Sequence, residues 1–262
     1  MSTIYEPKGR AREYSPLAFN YFHGCTHNCL YCYVPQMFGR YNTAYNHADC
    51  FSNLNVEELE RSARKMQGCG KQILLSFTGD PYCGKDVDDT RKVLEILNKY
   101  GHHVAILTKG GERALQHLDV FKEFGTRIKI GATLTFAEDA DSLKWESGGA
   151  LPKSRLVALQ TLRKNGITTW ASFEPVVIPS QSLELLDVCG KYGLTSHVKI
   201  GKINNYQGID RQIDWSDFLR KAVAICRKYS LPFYIKDDLR KAAATSGVIL
   251  TANEMDQDFL NV

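Results

Sequence analysis

The amino-acid sequence predicts an α/β fold in which helices cover a parallel sheet. Short, continuously apolar segments alternate with longer segments of helical periodicity, and this alternation recurs six or seven times. Continuous apolar strands separated by helices are typical of parallel sheets that are buried on both faces. An open or partial (βα) barrel and a doubly wound open sheet share this local pattern, and we favour the barrel.

Each strand and helix of this prediction has its own signal. Seven segments have the composition of buried strands, and they cover residues 17–23, 72–78, 103–108, 128–136, 168–173, 197–200 and 232–235. The segments with helical spacing cover residues 56–66, 87–100, 112–124, 153–165, 183–192 and 215–229. Asn55 is a predicted N-cap, and Gly101, Gly125 and Gly166 are predicted stop signals.

The composition excludes several classes of protein. Of 262 residues, 44% are hydrophobic and 24% are charged, which argues against global disorder, collagen and coiled coil. The net charge of +4 permits a phosphate-bearing partner without demanding one. No apolar run approaches the ~20 residues of a membrane span, and the first ten residues lack the apolar core of a signal peptide. We therefore expect a cytoplasmic protein that does not enter a membrane, with no linker dividing its single domain.

Three of the eight cysteines lie within eight residues: Cys25, Cys29 and Cys32. A long chain without an export signal does not need disulfides for its core, so this crowding indicates metal binding or catalysis. The spacing suits a zinc ion or three irons of a cubane cluster. Zinc would need a fourth ligand, such as His23 or His27. A [4Fe–4S] cluster on three cysteines leaves one iron open for a substrate or cofactor.

Polar residues follow the predicted strands where each strand ends. In both candidate architectures the carboxyl ends of the strands form one edge, and active sites lie there. The polar residues at these ends are Thr78, Gly79, Asp80, Lys109, Thr133, Thr135 and Glu174. Their convergence on one edge, above apolar strands, predicts an enzyme.

The cysteine segment, with Tyr31 directly before the third cysteine, resembles the radical S-adenosylmethionine (SAM) enzymes. Further strings are similar to the spore photoproduct lyase-like branch of that superfamily, and they lie at residues 31–35, 77–82, 107–109, 155–162, 173–177 and 235–240. The resemblance implies a partial (βα)6-type TIM barrel over about residues 17–240, with an N-terminal arm at 1–16 and a C-terminal tail at 241–262. This implication decides between the two architectures.

The resemblance also implies cofactors. Cys25, Cys29 and Cys32 would hold a [4Fe–4S] cluster whose open iron binds SAM. Reductive cleavage of SAM would give a 5′-deoxyadenosyl radical that abstracts a hydrogen atom from the substrate. Tyr31 would pack near the adenine of SAM, and Gly79 with Asp80 would accept from its amino group.

Further roles follow from the remaining strand ends. Lys109 would pair with the SAM carboxylate. Thr133 and Thr135, which alternate and so share a face, would bind the ribose or the carboxylate. Glu174 would hold a ribose hydroxyl or order the substrate. Cys83, just past the second predicted strand, is a candidate hydrogen-atom donor.

The resemblance does not assign a substrate. Spore photoproduct lyase repairs a thymine dimer in DNA, so damaged DNA is a candidate, and a flavodoxin or ferredoxin is the expected electron donor. The alternative from the residues alone is a zinc-binding, nucleic-acid interaction protein that uses the same cysteines. A third hypothesis is a sugar or nucleotide enzyme with an incidental cysteine loop.

Overall fold

Seven parallel strands form one sheet in which strands adjacent in sequence order are also neighbours in space. A computed structural model of the chain describes residues 3–45, 47–48, 50–84, 87–204 and 206–261. The strands are β1 (Leu17–Phe19), β2 (Phe22–His23), β3 (Phe51–Ser52), β4 (Gln72–Leu75), β5 (His103–Thr108), β6 (Ile128–Thr133), β7 (Thr168–Val176), β8 (His197–Lys202) and β9 (Phe233–Ile235). The order of the large sheet is β1-β4-β5-β6-β7-β8-β9, and β2 pairs with β3 separately.

Helices lie between successive strands of the large sheet, and two more in the described part of the chain follow its last strand. They are α1 (Val34–Gly39), α2 (Val56–Lys65), α3 (Asp88–Lys99), α4 (Leu118–Phe124), α5 (Asp139–Trp145), α6 (Pro152–Lys164), α7 (Pro179–Lys191), α8 (Gln207–Asp210), α9 (Trp215–Lys228), α10 (Asp237–Ala242) and α11 (Ala252–Met255). Short 3₁₀ segments lie at Gly9–Ala11, Gly111–His117 and Gly125–Arg127. Among the described residues, no helix has both the length and the apolar character needed to cross a bilayer.

The predicted α/β fold is confirmed as a curled, partial parallel barrel. Its strand order runs without the reversal that a doubly wound sheet requires, so that alternative is wrong. The first predicted strand is divided into β1 and β2, and the helix predicted at 112–124 begins as a 3₁₀ segment. The division into arm (1–16), barrel and tail (241–262) stays a prediction.

Residues on each strand alternate between the convex and the concave face of the sheet. Leu75 and Ile106 belong to the core beneath the first helices, and Phe173 and Ile200 belong to the core beneath the later ones. Leu74, Ala105 and Trp170 instead form a separate small cluster. These three residues point to the opposite side of their strands from the core residues, so this cluster lies on the concave face.

Trp170 lies flat across the concave face of β6. Its indole N–H donates to the carbonyl of Ile106 at 3.1 Å, and its ring stacks on His197 with centroids 5.7 Å apart. A Cβ at Gly131 would stand 2.5 Å from the indole ring, so only glycine leaves room for this arrangement. Trp170 therefore forms the floor of the concavity.

The arm and the tail cross the amino half of the sheet. Lys199 donates to the carbonyls of Glu13 and Tyr14 at 2.7 and 3.1 Å, and to that of Gln257 in the tail at 3.3 Å. Burial and the charge of Lys236 lower the pKa of Lys199 to about 7. Lys199 thus holds segments of the arm and the tail against the barrel.

Replacing Gly131 by Ala should destabilise the fold through Trp170. The added methyl group overlaps the indole, and overpacking of this kind costs about 1–3 kcal/mol in the free energy of unfolding. Urea denaturation measures the loss. The matched control is Gly208→Ala in α8, where a Cβ would meet nothing within 4 Å. Equal midpoints for the two variants would contradict the proposed packing.

Candidate metal and cofactor site

The cysteine loop follows β2 and turns sharply before α1. Gly24 and Asn28 have positive φ angles of 82° and 49°, a conformation that these two residue types adopt more readily than most. The amide of Cys32 donates to the carbonyl of Cys29 at 3.0 Å. The next helix starts at Val34 with Pro35 in its first turn, a favoured position for proline. The local sequence therefore explains why the three cysteines share one tight loop.

The loop packs against the segment after α5. Leu30 donates its amide to the carbonyl of Trp145 at 2.9 Å, and Gly148 donates to that of His27 at 3.0 Å. A Cβ at Gly148 would stand only 1.8 Å from the carbonyl oxygen of Thr26. The glycine is thus required for the close approach of two backbones.

Asp80 joins the loop to the ends of β4 and β5. Its Oδ1 accepts from the Thr108 hydroxyl at 2.6 Å and from the Tyr82 amide at 2.8 Å. Its Oδ2 accepts from the Lys109 amide at 2.8 Å and lies 3.3 Å from His27 Nδ1. Burial would raise the pKa of Asp80, but His27 and the other donors outweigh it and lower the pKa. The carboxylate is ionised and its acceptor positions are engaged.

Gly79, next to Asp80, allows another close approach. A Cβ at Gly79 would stand 2.7 Å from the carbonyl oxygen of Gly24 and from the Cβ of Phe22. The position therefore lies directly beside the start of the cysteine loop. The predicted contacts of Gly79 and Asp80 with SAM stay predictions.

His27 is buried, and both of its ring nitrogens have partners. Nδ1 faces Asp80, and Arg113 Nη2 lies 2.8 Å from Nε2. Burial would lower the pKa of His27, but the charge of Asp80 opposes this effect and raises the pKa to about 9. Both ring nitrogens of His27 thus face protein partners, which weighs against the hypothesis that uses it as the fourth zinc ligand.

The three thiols have the chemistry that a metal cluster needs. Burial raises the pKa of Cys29 to about 12, while the charge of Lys109 opposes this effect. Burial also raises the pKa of Cys32, and contact with Cys83, followed by burial, raises that of Cys25. Thiolates so close together repel one another and are stabilised by a cation. Within the described ranges no three His, Cys, Asp or Glu side chains are already arranged as a metal site, and Cys25 is turned toward Cys83.

Glu146 forms a second buried anchor beside the loop. It accepts from the hydroxyl of Tyr31 and from Arg155 Nη2, the latter at 2.5 Å. Arg155 also donates to the carbonyl of Thr133 at 2.9 Å. Burial would raise the pKa of Glu146, but Arg155 and Lys109 lower it. Sequence reasoning did not assign Glu146 a role. A signal was present, because Arg155 lies among apolar residues in the sequence and a buried arginine needs a carboxylate partner.

Tyr31, Lys109 and Thr135 meet beside this anchor. The ammonium of Lys109 lies 5.5 Å from the centre of the Tyr31 ring, within cation–π range. The hydroxyls of Tyr31 and Thr135 are 3.4 Å apart. The structure thus brings these three predicted residues together with the cysteine loop, and Thr133 is joined to them through Arg155.

Glu174 belongs to a different group, on the side of β7 and β9. It accepts from the Tyr14 hydroxyl and from Lys236 Nζ, the latter at 2.6 Å, and it lies 3.4 Å from Asn204 Nδ2. A Cβ at Gly201 would stand 2.9 Å from the side chains of both Glu174 and Lys236. Sequence reasoning missed Tyr14, since nothing in the arm indicates that it reaches the strand ends.

The fold and the cysteine loop both have counterparts among known proteins. The family model of the Radical SAM superfamily matches residues 19–189. An uncharacterized protein of Methanocaldococcus jannaschii is 30% identical over 60% of this chain and 59% of its own length. The uncharacterized protein ORF301 of Acidianus two-tailed virus is 24% identical over 70% of this chain and 63% of its own length. The match therefore spans less than two thirds of either relative.

Solved structures share the fold at low sequence identity. A variant of spore photoproduct lyase has a TM-score of 0.68 at 12% identity, covering 89% of this chain and 78% of that one. Streptococcus suis SuiB bound to S-adenosylmethionine has a TM-score of 0.63 at 14% identity, covering 90% and 53%. The family match includes the cysteine loop and the strands from β2 to β7. This chain belongs to the Radical SAM superfamily, and its fold is like that of spore photoproduct lyase.

Proposed function

We propose that this protein is a radical SAM enzyme in which Cys25, Cys29 and Cys32 hold a [4Fe–4S] cluster. The observation that carries the proposal is a loop of three partly buried thiols, fixed beside the partly buried Lys109 at the carboxyl edge of a parallel barrel. When bound, the cluster supplies the electron that cleaves SAM to a 5′-deoxyadenosyl radical, which abstracts a hydrogen atom from the substrate. Because three cysteines would hold three of the four irons, the fourth iron would be open to SAM.

The residues around the loop bind and orient SAM. Lys109 offsets the charge of the thiolates and pairs with the SAM carboxylate, a charge-assisted contact. Tyr31 packs near the adenine, and Thr133 and Thr135 offer hydroxyls to the ribose or the carboxylate. Gly79 allows close approach, and Asp80 acts chiefly by positioning His27 and the Lys109 backbone.

The reaction is proposed to be lyase-like, with damaged DNA as a candidate substrate. Support comes from the shared fold with spore photoproduct lyase, one of whose structures holds a dinucleoside spore photoproduct. The electron donor is a flavodoxin or ferredoxin in the cytoplasm. The proposed substrate is tested by measuring SAM cleavage with and without ultraviolet-irradiated DNA. If damaged DNA is the substrate, repaired DNA should form only when SAM is present.

Changing any cysteine of the trio to Ala should abolish cluster binding. Anaerobic reconstitution of the unchanged chain should give about four irons and four sulfides per chain and a brown protein. Each variant loses a ligand and should retain little iron. The matched control is Cys69→Ala, which alters an exposed cysteine and should load normally. One zinc per chain with neither iron nor sulfide would instead support the zinc alternative.

Lys109→Met should weaken SAM binding while the cluster is retained. Loss of one charge-assisted hydrogen bond costs about 1.5–3 kcal/mol, which is at least a tenfold rise in the dissociation constant of SAM. Equilibrium binding to the reconstituted protein measures it, with iron content checked in parallel. Lys153→Met, at an exposed position of α6, is the control. Unchanged affinity with an intact cluster would remove Lys109 from the SAM site.

Asp80→Asn should destabilise the chain and lower its iron content. The amide group would place a donor against the His27 proton or the Lys109 amide, so a buried hydrogen bond is lost at a cost of about 1–3 kcal/mol. Urea denaturation and iron analysis report the two effects. The exposed Asp139→Asn serves as the control, with an expected change of about 0.5 kcal/mol. If Asp80→Asn behaved like this control, Asp80 would have no positioning role.

A further inference from the structure

Two cysteines outside the trio meet beside the cysteine loop. Cys50 directly precedes β3, and Cys83 lies in the turn after β4. Their Sγ atoms are 2.9 Å apart. A disulfide has an S–S length of about 2.05 Å, so a movement of less than about 1 Å would bring the two sulfurs to bonding distance.

The surrounding backbone holds both cysteines in place. The amide of Cys83 donates to the carbonyl of Asp80 at 3.1 Å, and the hydroxyl of Thr26 donates to the carbonyl of Cys83. Phe51, next to Cys50, pairs with His23 of β2. The proximity of the two thiols therefore depends on β-pairing and on the Asp80 turn.

The two thiols differ in accessibility. Cys83 is 2% exposed, whereas Cys50 is only partly buried. A small oxidant in solution would therefore meet Cys50 first, and Cys83 would be the internal partner. Among the other cysteines outside the trio, Cys69 is exposed, and Cys189 and Cys226 are buried in the core beneath α7 and α9.

We propose that Cys50 and Cys83 form a redox-active dithiol that closes to a disulfide by exchange with a small-molecule disulfide. The Cys50 thiolate attacks one sulfur of the small disulfide, which forms a mixed disulfide and releases one thiolate. The Cys83 thiolate then attacks Cys50 Sγ, which forms the Cys50–Cys83 bond and releases the second thiolate. The pair is oxidised by two electrons, the small disulfide is reduced to two thiols, and the two cysteine protons pass to the released thiolates.

This dithiol is adjacent to the proposed cluster ligands without being one of them. The thiol of Cys25 donates to the sulfur of Cys83, so closing the disulfide replaces the acceptor of that contact by a disulfide sulfur. The oxidation state of the pair is thereby coupled to the surroundings of Cys25. The inference concerns cysteines that bind no cluster in the proposed function, and its test does not depend on SAM cleavage.

Thiol mapping of the full chain tests the proposal. The reduced protein, as purified and after reconstitution, is treated with oxidised glutathione, blocked with N-ethylmaleimide, digested and analysed by mass spectrometry. A peptide linking Cys50 to Cys83 should appear, with loss of N-ethylmaleimide from both, while Cys69 carries glutathione. In Cys83→Ser, Cys50 should stop at the mixed disulfide, and in the control Cys69→Ser the link should form normally.

Three results would overturn the proposal. First, if Cys50 of the unchanged chain keeps its glutathione, as it should in Cys83→Ser, then Cys83 does not displace glutathione from Cys50. Second, Cys50 that still takes N-ethylmaleimide when Cys69 is fully glutathionylated would show that it does not react. Third, a peptide that links Cys83 to Cys25, and not to Cys50, would show that Cys50 and Cys83 are not the reactive pair. Each result can be obtained whether or not the protein takes up iron.

Discussion

The partly buried carboxylate of Asp80, whose side chain is 12% exposed, is the constraint on which the arrangement of the site depends. An ionised carboxylate removed from water destabilises a fold unless protein donors replace its hydration. The donors to Asp80 come from the cysteine loop through His27, from its own turn through Tyr82, and from β5 through Thr108 and Lys109. Three chain segments are thus held at one point, because moving any of them would leave a charge unsatisfied.

Glu146 has the same effect on the other side of the loop. Its carboxylate is buried, and Arg155 and Tyr31 satisfy it. Against the two carboxylates stand the positive charges of Arg155, Lys109 and Arg113, so these groups leave less positive charge than three thiolates would need. Thiolates on this loop therefore require additional positive charge, which is what an iron–sulfur centre supplies.

The strands could be predicted because a sheet buried on both faces leaves continuous apolar segments in the sequence. The end of β7 could not be predicted, because Pro175 is a sequence signal for the end of a strand. The register between β7 and β8 shifts between Phe173 and Val176, and at such an irregularity the missing N–H of proline costs no ladder bond. The face of the sheet on which Thr133 lies was predictable from the alternation of side chains along a strand. The contacts of Glu146 were not, because they join residues that only the fold brings together.

The two carboxylates predicted to bind ligands, Asp80 and Glu174, differ in how many acceptor positions remain for a ligand. A carboxylate has about four acceptor positions, and in Asp80 protein donors engage all of them. In Glu174, Oε2 accepts from Tyr14 and Lys236, whereas among the residues that the structure describes Oε1 has only the long contact of 3.4 Å to Asn204. A ligand hydroxyl can therefore bind Oε1 without displacing a strong protein contact. On this argument the sequence-based role in ligand binding suits Glu174 better than Asp80, whose charge acts through the geometry of the loop.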